Sequence, residues 1–266
     1  MSVSLIVTVY KDYEALALVL DSITKQTLLP NQVIIAHDTI DERIQPILSA
    51  HSQSLNLLHI DQVDTGFNKN RILNKAILAS NHEYLVFIDG DCLLHPRFIE
   101  EHRKNLIQSV FTAGRRIDLD AKTSKNVRLY GIEHIGFFRM LWNRTKRVEE
   151  AFYIKSPLVS SKKTPKLLGC NMGWCKSDLI ALNGFDMDYT LPGYGEDTDL
   201  EFRALRSGMS AKNMRWKALQ YHLHHERPDR EIDISKSREM FENKREIGYF
   251  YCENGLSNLE QKFPHE

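Results

Sequence analysis

No stretch of this 266-residue chain approaches the roughly 20 consecutive apolar residues that a helix needs to cross a bilayer. Its start, "MSVSLIVTVY", lacks a basic leader and a small-residue cleavage site, and its apolar run is too short for a signal core. Net charge is missing too: 35 Lys and Arg balance 35 Asp and Glu. That excludes the basic excess of a general nucleic-acid binder, so no nucleic-acid partner is expected. The four cysteines, Cys92, Cys170, Cys175 and Cys252, contain no C-x-x-C pair. Neither a zinc ribbon nor a disulfide framework is expected, and free thiols in a reducing compartment are the simplest reading. No G-x-G-x-x-G follows the first apolar run, which sets aside a dinucleotide-binding dehydrogenase. Internal repeats and low-complexity linkers are also missing. These absences point to a cytoplasmic protein, with peripheral contact at the inner face of a membrane left open.

What is present is an alternation. "VSLIVTV" is uncharged and β-branched, the pattern of a strand buried on both faces. "YKDYEALALVLDSITKQ" then places Leu16, Val19, Leu20 and Ile23 at helical spacing. "NQVIIAHD" reads as a second strand ending at Asp38. A weaker helix over about 41–53, with Pro46 near its start, precedes a third strand, "LNLLHI". "NKNRILNKAILAS" is a helix with Ile72, Ala76 and Ile77 on one face, and "YLVFIDGD" a fourth strand. Strand–helix alternation predicts an α/β fold with a mostly parallel central sheet flanked by helices. Ligands of such sheets bind outside the carboxyl ends of the strands. Thr8, Asp38, Asp64, Asp89 and Asp91 mark that edge.

Asp89 and Asp91 bracket Gly90 in "FIDGDC". Two residues apart on a strand, they share a face at about 6–7 Å. There they would flank one divalent ion, whose smaller members want oxygen at about 2.0–2.2 Å. Alternatively one holds the ion and the other a ribose hydroxyl. Gly90 lets the backbone turn and a ligand approach closely; an ordinary Asp-Gly turn accounts for the same dipeptide.

The second half is less regular. Residues 115–166 carry 13 Lys or Arg against 5 Asp or Glu, interleaved with Phe137, Phe138, Trp142, Phe152 and Tyr153. "GYGEDTDLEF" concentrates Glu196, Asp197, Asp199 and Glu201. Thr198 and Glu201 have capping-box spacing, so a helix is expected to start near 199 and to end at Gly208; that leaves Glu196 and Asp197 unexplained. "YHLHHE" offers His222, His224 and His225. On a strand His222 and His224 share one face and His225 points away, and imidazole suits manganese and zinc. The organisation expected is one domain in two lobes, 1–114 and 115–230, with a helical tail over 231–266.

Taken in order, "SLIVTVYKDYEALALVLDSITKQTLLPNQVIIAHD", "GFNKNRILNKAI", "FIDGDC" and "GCNMGWCKSDLIALNGFDMDYTLPGYGEDTDLEFRALRSG" resemble a family-2 glycosyltransferase with the nucleotide-sugar-binding glycosyltransferase A fold. The last segment resembles the acceptor region of galactosyl- and N-acetylgalactosaminyl-transferring members. The likeness covers residues 3 to about 226. It implies that Thr8, Val9 and Tyr10 touch the uridine of a UDP-sugar and that Asp38 binds its uracil or ribose. "HDTI" replaces the family's D-D-G-S there. Asp64, Lys69 and Arg71 would line the nucleotide site, Gly90 would border it, Asp89 would meet ribose or metal and Asp91 the metal, Mn2+ or Mg2+. His222 would be a further metal ligand, with His225 as its rival. Asn171 and Trp174 fall near the donor sugar and acceptor, although Trp174 and Phe185 also read as core. Asp197 would be the base of an inverting transfer and Glu196 would hold acceptor hydroxyls. The acceptor implied is a saccharide or lipid-linked saccharide of bacterial surface polysaccharide or lipopolysaccharide synthesis. The basic segment 115–166 suits an anionic acceptor or an acidic membrane face. A metal-dependent nucleotide-sugar hydrolase and a non-catalytic nucleotide-sugar-binding subunit are the competing readings.

Overall fold

The computed structural model describes residues 2–143, 145–156, 166–226 and 232–260. The first four strands are β1 (Val3–Val9), β2 (Gln32–His37), β3 (Leu57–Asp61) and β4 (Tyr84–Asp89). β1 lies between β2 and β4, parallel to both, and β3 extends the sheet beyond β2. Later come β5 (Cys92–Leu94), β6 (Val110–Ala113), β7 (Ile117–Asp118), β8 (Asn171–Cys175), β9 (Ser210–Asn213) and β10 (Gln220–His222). The large sheet runs β3-β2-β1-β4-β8-β6-β9. Only the β4–β8 and β8–β6 contacts are antiparallel, so the sheet is mostly parallel as expected. A small sheet, β5-β10-β7, follows the end of β4.

Helices α1 (Tyr13–Thr24), α2 (Gln45–His51), α3 (Lys69–Ala79), α4 (Phe98–Asn105) and α5 (Ala121–Tyr130) belong to the first half. They are followed by α6 (Phe137–Trp142), α7 (Lys176–Ala181), α8 (Glu196–Arg206), α9 (Ser235–Ile247) and α10 (Leu256–Glu260). The period of two along β1 divides the core. Leu5 and Val7 pack with Leu16 and Leu20 of α1 on one face of the sheet. Ile6 packs with Ile72 and Ile77 of α3 and with Trp174 on the other. Full burial of each such side chain contributes about 1.5–3 kcal/mol. Trp174 stacks on Phe111 with ring centroids 4.5 Å apart, and Phe185 is buried beside them.

Local differences have local causes. α1 starts at Tyr13, three residues into the stretch that reads as helical, because the Asp12 side chain accepts the Ala15 amide at 3.0 Å and caps it there. Lys11, at φ 57°, makes the turn before it. The expected capping box at Thr198 and Glu201 does not form. α8 begins at Glu196, since Gly195 at φ 111° turns the chain there, and a Cβ on Gly195 would lie 2.0 Å from the Tyr189 ring. α9 and α10 fall in the stretch 231–266 read as a helical tail, of which residues 231 and 261–266 lie outside the described residues.

Candidate active site

A cleft of about 790 Å³ opens at the carboxyl ends of β1, β2 and β4. Thr8, Val9 and Tyr10 enter it as β1 runs out, Asp38 as β2 does, and Asp89, Gly90 and Asp91 after β4. Gly90 is required by close approach. Its amide donates to Thr8 O at 2.7 Å, and a Cβ would meet that same oxygen at 2.9 Å. This contact ends β4 at Asp89, so Asp89 and Asp91 do not share a strand face as the sequence spacing predicts. Asp91 instead precedes β5, which pairs with β10 and brings His222 opposite Cys92.

The two acids therefore have different neighbours. Lys69 of α3 donates to Asp89 Oδ1 at 3.0 Å and to Glu196 Oε1 at 3.3 Å. Burial alone would lower the Lys69 ammonium, but Asp89 and Glu196 outweigh it and hold its pKa well above the usual value. The Glu196 carboxyl is pushed up, chiefly by burial and further by Asp197 and Asp89, with Lys69 opposing. Its Oε2 is buried and has no hydrogen-bond partner among the described residues.

Asp91 Oδ2 lies 3.2 Å from His222 Nε2 and 3.3 Å from His225 Nε2. Burial would raise the Asp91 carboxyl; hydrogen bonds from the two histidines outweigh that and hold it far below the carboxylate range. The side chain of His222 is 4% exposed and that of His225 39%. Both reach Asp91, while His224 is exposed and its amide donates to Ser124 Oγ at 2.8 Å. The strand ends at His222, which frees the chain to swing His225 back. Ligand atoms of Asp91, His222 and His225 all lie within 4.8 Å of one another, and Asp89 instead clusters with Cys92 and Cys170.

Asp38 is buried at the opposite end. Gln62 Nε2 donates to Oδ1 at 2.6 Å and the Asn68 amide to Oδ2 at 3.3 Å, while burial raises its carboxyl. Asp64 pairs with Lys11 at 2.9 Å at the surface, beside the Tyr10 hydroxyl. Arg71 lines a separate depression with Asn70 and Tyr189. Asn171 sits behind the cleft with its amide saturated. Its Nδ2 donates to Arg115 O at 2.7 Å and Ala218 O at 2.9 Å, and its Oδ1 meets His102 Nε2 at 3.0 Å. Asp197 accepts the Gly169 amide at 3.3 Å and the Thr198 hydroxyl at 3.3 Å.

Sequence reasoning did not single out Gln62, Arg116 or Asp118. Arg116 lines the cleft and pairs with Asp118 at 3.1 Å, and Asp118 lies 3.5 Å from His222 Nδ1. Only the pairing of β7 with β10, which sets Asp118 beside His222, brings them in.

The fold and cleft define an α/β protein with a cleft lined by charged side chains at the edge of parallel strands. The model of glycosyl transferase family 2 matches residues 4–159, and the chain belongs to that family: it is a glycosyltransferase of the glycosyltransferase A fold. It is 23% identical to the chondroitin synthase of Escherichia coli over 93% of this chain and 39% of that one. A hyaluronan synthase of Pasteurella multocida is 23% identical over 41% of this chain and 11% of its own length. The chain thus spans well under half of the curated relatives it matches. Among solved structures, S. aureus TarS 1–349 in complex with UDP-GlcNAc superposes with a TM-score of 0.61 at 15% identity, over 98% of this chain and 70% of that one. A mannosyltransferase from Pyrobaculum calidifontis in complex with GDP-Man and Mn2+ gives 0.57 at 17% identity, over 85% and 58%. No helix among the described residues is long and apolar enough to cross a membrane.

Proposed function

We propose that this chain transfers a sugar, with inversion, from a UDP-sugar to a saccharide or lipid-linked saccharide acceptor, and that it uses a divalent cation. The observation that carries the reading is the division of one cleft. A buried carboxylate, Asp38, waits at one end, and Asp91 with two imidazoles at the other. In this reading Thr8, Val9, Tyr10 and Asp38 receive the nucleoside. Lys69 and Arg116 face the diphosphate, and Asp89 orients Lys69 and meets the ribose.

Asp91, His222 and His225 fit a divalent cation. One carboxylate and two imidazoles suit manganese better than magnesium, which prefers oxygen. A cation bound there would offset charge on the departing nucleoside diphosphate. The buried, unpaired Oε2 of Glu196 is placed to accept a hydrogen bond from a sugar hydroxyl. Asp197 is the base. Lys69 engages Glu196, whereas Asp197 has no cationic partner among the described residues. As the acceptor oxygen attacks the anomeric carbon, Asp197 takes its proton and the bond to the phosphate oxygen breaks.

The names of the chondroitin and hyaluronan synthases it resembles support a saccharide acceptor; surface polysaccharide or lipopolysaccharide assembly is the setting in this reading. The stretch 1–114 would carry the donor and 115–230 the acceptor. Within 115–166, α6 presents Phe138 and Trp142 at 84% and 87% exposure among basic side chains, a surface for an anionic acceptor or an acidic bilayer. Residues 144 and 157–165 of that segment lie outside the described residues. Vesicle flotation tests the bilayer: equal, negligible binding to neutral and anionic vesicles removes it.

A thermal-shift panel tests the donor. A manganese-dependent rise with UDP, but not with GDP or CDP, is expected by mass action. No shift with any nucleotide overturns the reading. Turnover of a UDP-sugar without acceptor stimulation would favour a hydrolase.

A further inference from the structure

Beneath the cleft lies a pair of groups that sugar transfer does not use. Cys92 and Cys170 are free thiols, 0% and 4% exposed. One directly follows Asp91 and opens β5; the other directly follows Gly169 and precedes β8. Their sulfurs and a carboxylate oxygen of Asp89 all lie within 4.8 Å of one another. Cys92 Sγ is 3.5 Å from Asp91 Oδ1, and Arg116 Nη1 is 3.7 Å from Cys170 Sγ. A lone buried thiol is ordinarily a small hydrophobic filler. Two that face each other beside a guanidinium, one side chain below an open cleft, are set up for chemistry with each other.

We propose that Cys92 and Cys170 form a redox-sensitive pair that hydrogen peroxide converts to a disulfide, and that this closure disables the donor site. One sulfur takes a hydroxyl from the peroxide, whose O–O bond breaks, and the first water leaves. The second sulfur displaces that hydroxyl as a second water, and the S–S bond forms. Two thiols lose two electrons, one peroxide gains them, and both thiol protons end in water. Closure draws residue 92 towards residue 170. Asp91, bonded to the first, carries the two imidazoles; Gly169, bonded to the second, holds Asp197. The cross-link stands by itself, and its effect on the donor rests on the function proposed above.

The full chain is treated with peroxide, denatured, alkylated without reduction and mapped by mass spectrometry. A peptide linked through Cys92 and Cys170 is expected, with Cys175 and Cys252 alkylated. Manganese-dependent UDP binding should weaken at least about tenfold and return with dithiothreitol. Cys170→Ser should bind UDP as before and lose the sensitivity; the wild-type map needs no variant. Full alkylation of both cysteines, or sulfinic acid at either without a cross-link, overturns the pair. Protection of both thiols in the reduced protein, lifted by a chelator, assigns them to a soft metal and overturns it too. Cross-linked protein that binds UDP unchanged overturns the switch. Reduced protein that binds no nucleotide fails the donor reading, and the map still decides the pair.

Discussion

Charged and polar side chains are used in two ways in this chain, at the cleft in front and in the core behind it. In front, Lys69, Asp89 and Glu196 form one group and Asp91, His222 and His225 another, with an unpaired buried oxygen on Glu196. Behind, Arg203 donates to Asp199 at 2.8 Å and to the carbonyls of Leu182 and Gly184 at 2.7 and 2.8 Å. His102 is likewise closed between Thr112 at 2.8 Å and Asn171 at 3.0 Å. A charged or polar residue whose valences are filled by the protein holds the fold; one with open valence at a cavity has something left to give a ligand. The distinction runs inside a single helix. Glu196 opens α8 at the cleft, and Asp199, one turn along the same acid run, is a buried partner of Arg203.

The comparison breaks if a front variant unfolds the protein or a rear one leaves it intact. Arg203→Ala is the largest test. It strands the buried Asp199 carboxylate and two carbonyls, and a broken buried ion pair costs about 3–5 kcal/mol. Urea denaturation should show that loss in full. Asp197→Asn should do the opposite, leaving the denaturation midpoint and UDP affinity in place while kcat falls by about 10²–10⁴. Unchanged transfer would move the base to Glu196 or elsewhere. Asp91→Asn should keep the fold and weaken manganese-dependent UDP binding on the order of 100-fold, as the loss of ligand-orienting groups does elsewhere. Calorimetry with and without manganese reads this directly, and equal affinities in both conditions would take the cation away from Asp91.

The front half of this architecture was legible because its signals are local. A strand buried on both faces must be an uncharged apolar run, and α1 and α3 carry their apolar stripes within a dozen residues. The edge residues Asp38 and Asp91 follow from knowing where parallel strands end. What stayed hidden is set by contacts between distant segments. The Gly90 amide bonds Thr8 O, so the chain leaves the sheet before Asp91 and the two acids part. Gly195 turns the backbone and starts α8 three residues before the capping box predicts. Asp118 and Arg116 looked like two charges in a basic stretch, and only the β7–β10 register sets one of them beside His222. Asn171 read as a cleft residue because its neighbours in the chain resemble an acceptor region, yet its amide faces inward.

The smallest test concerns His102, on the rear side. Asn171 spends its NH2 on two carbonyls, so its oxygen must accept from His102 Nε2–H, which leaves Nδ1 to accept from the Thr112 hydroxyl. The ring is neutral, and burial lowers its pKa from 6.5 to about 4, with the Asn171 contact opposing. Between those values the unfolded chain binds a proton that the native one refuses, so stability rises with pH across that window. It is fully present above about 6.5 and is lost as pH falls towards 4. From pH 7 to pH 5 the loss should be about 2 kcal/mol. His102→Gln keeps an amide in the same place and removes the titration, so its urea midpoint should fall less than that of the wild type over this interval. The other histidines titrate in both proteins and cancel in the difference. Parallel pH dependences would show that His102 takes up its proton in the native state, and its core site would then be no more closed than the cleft.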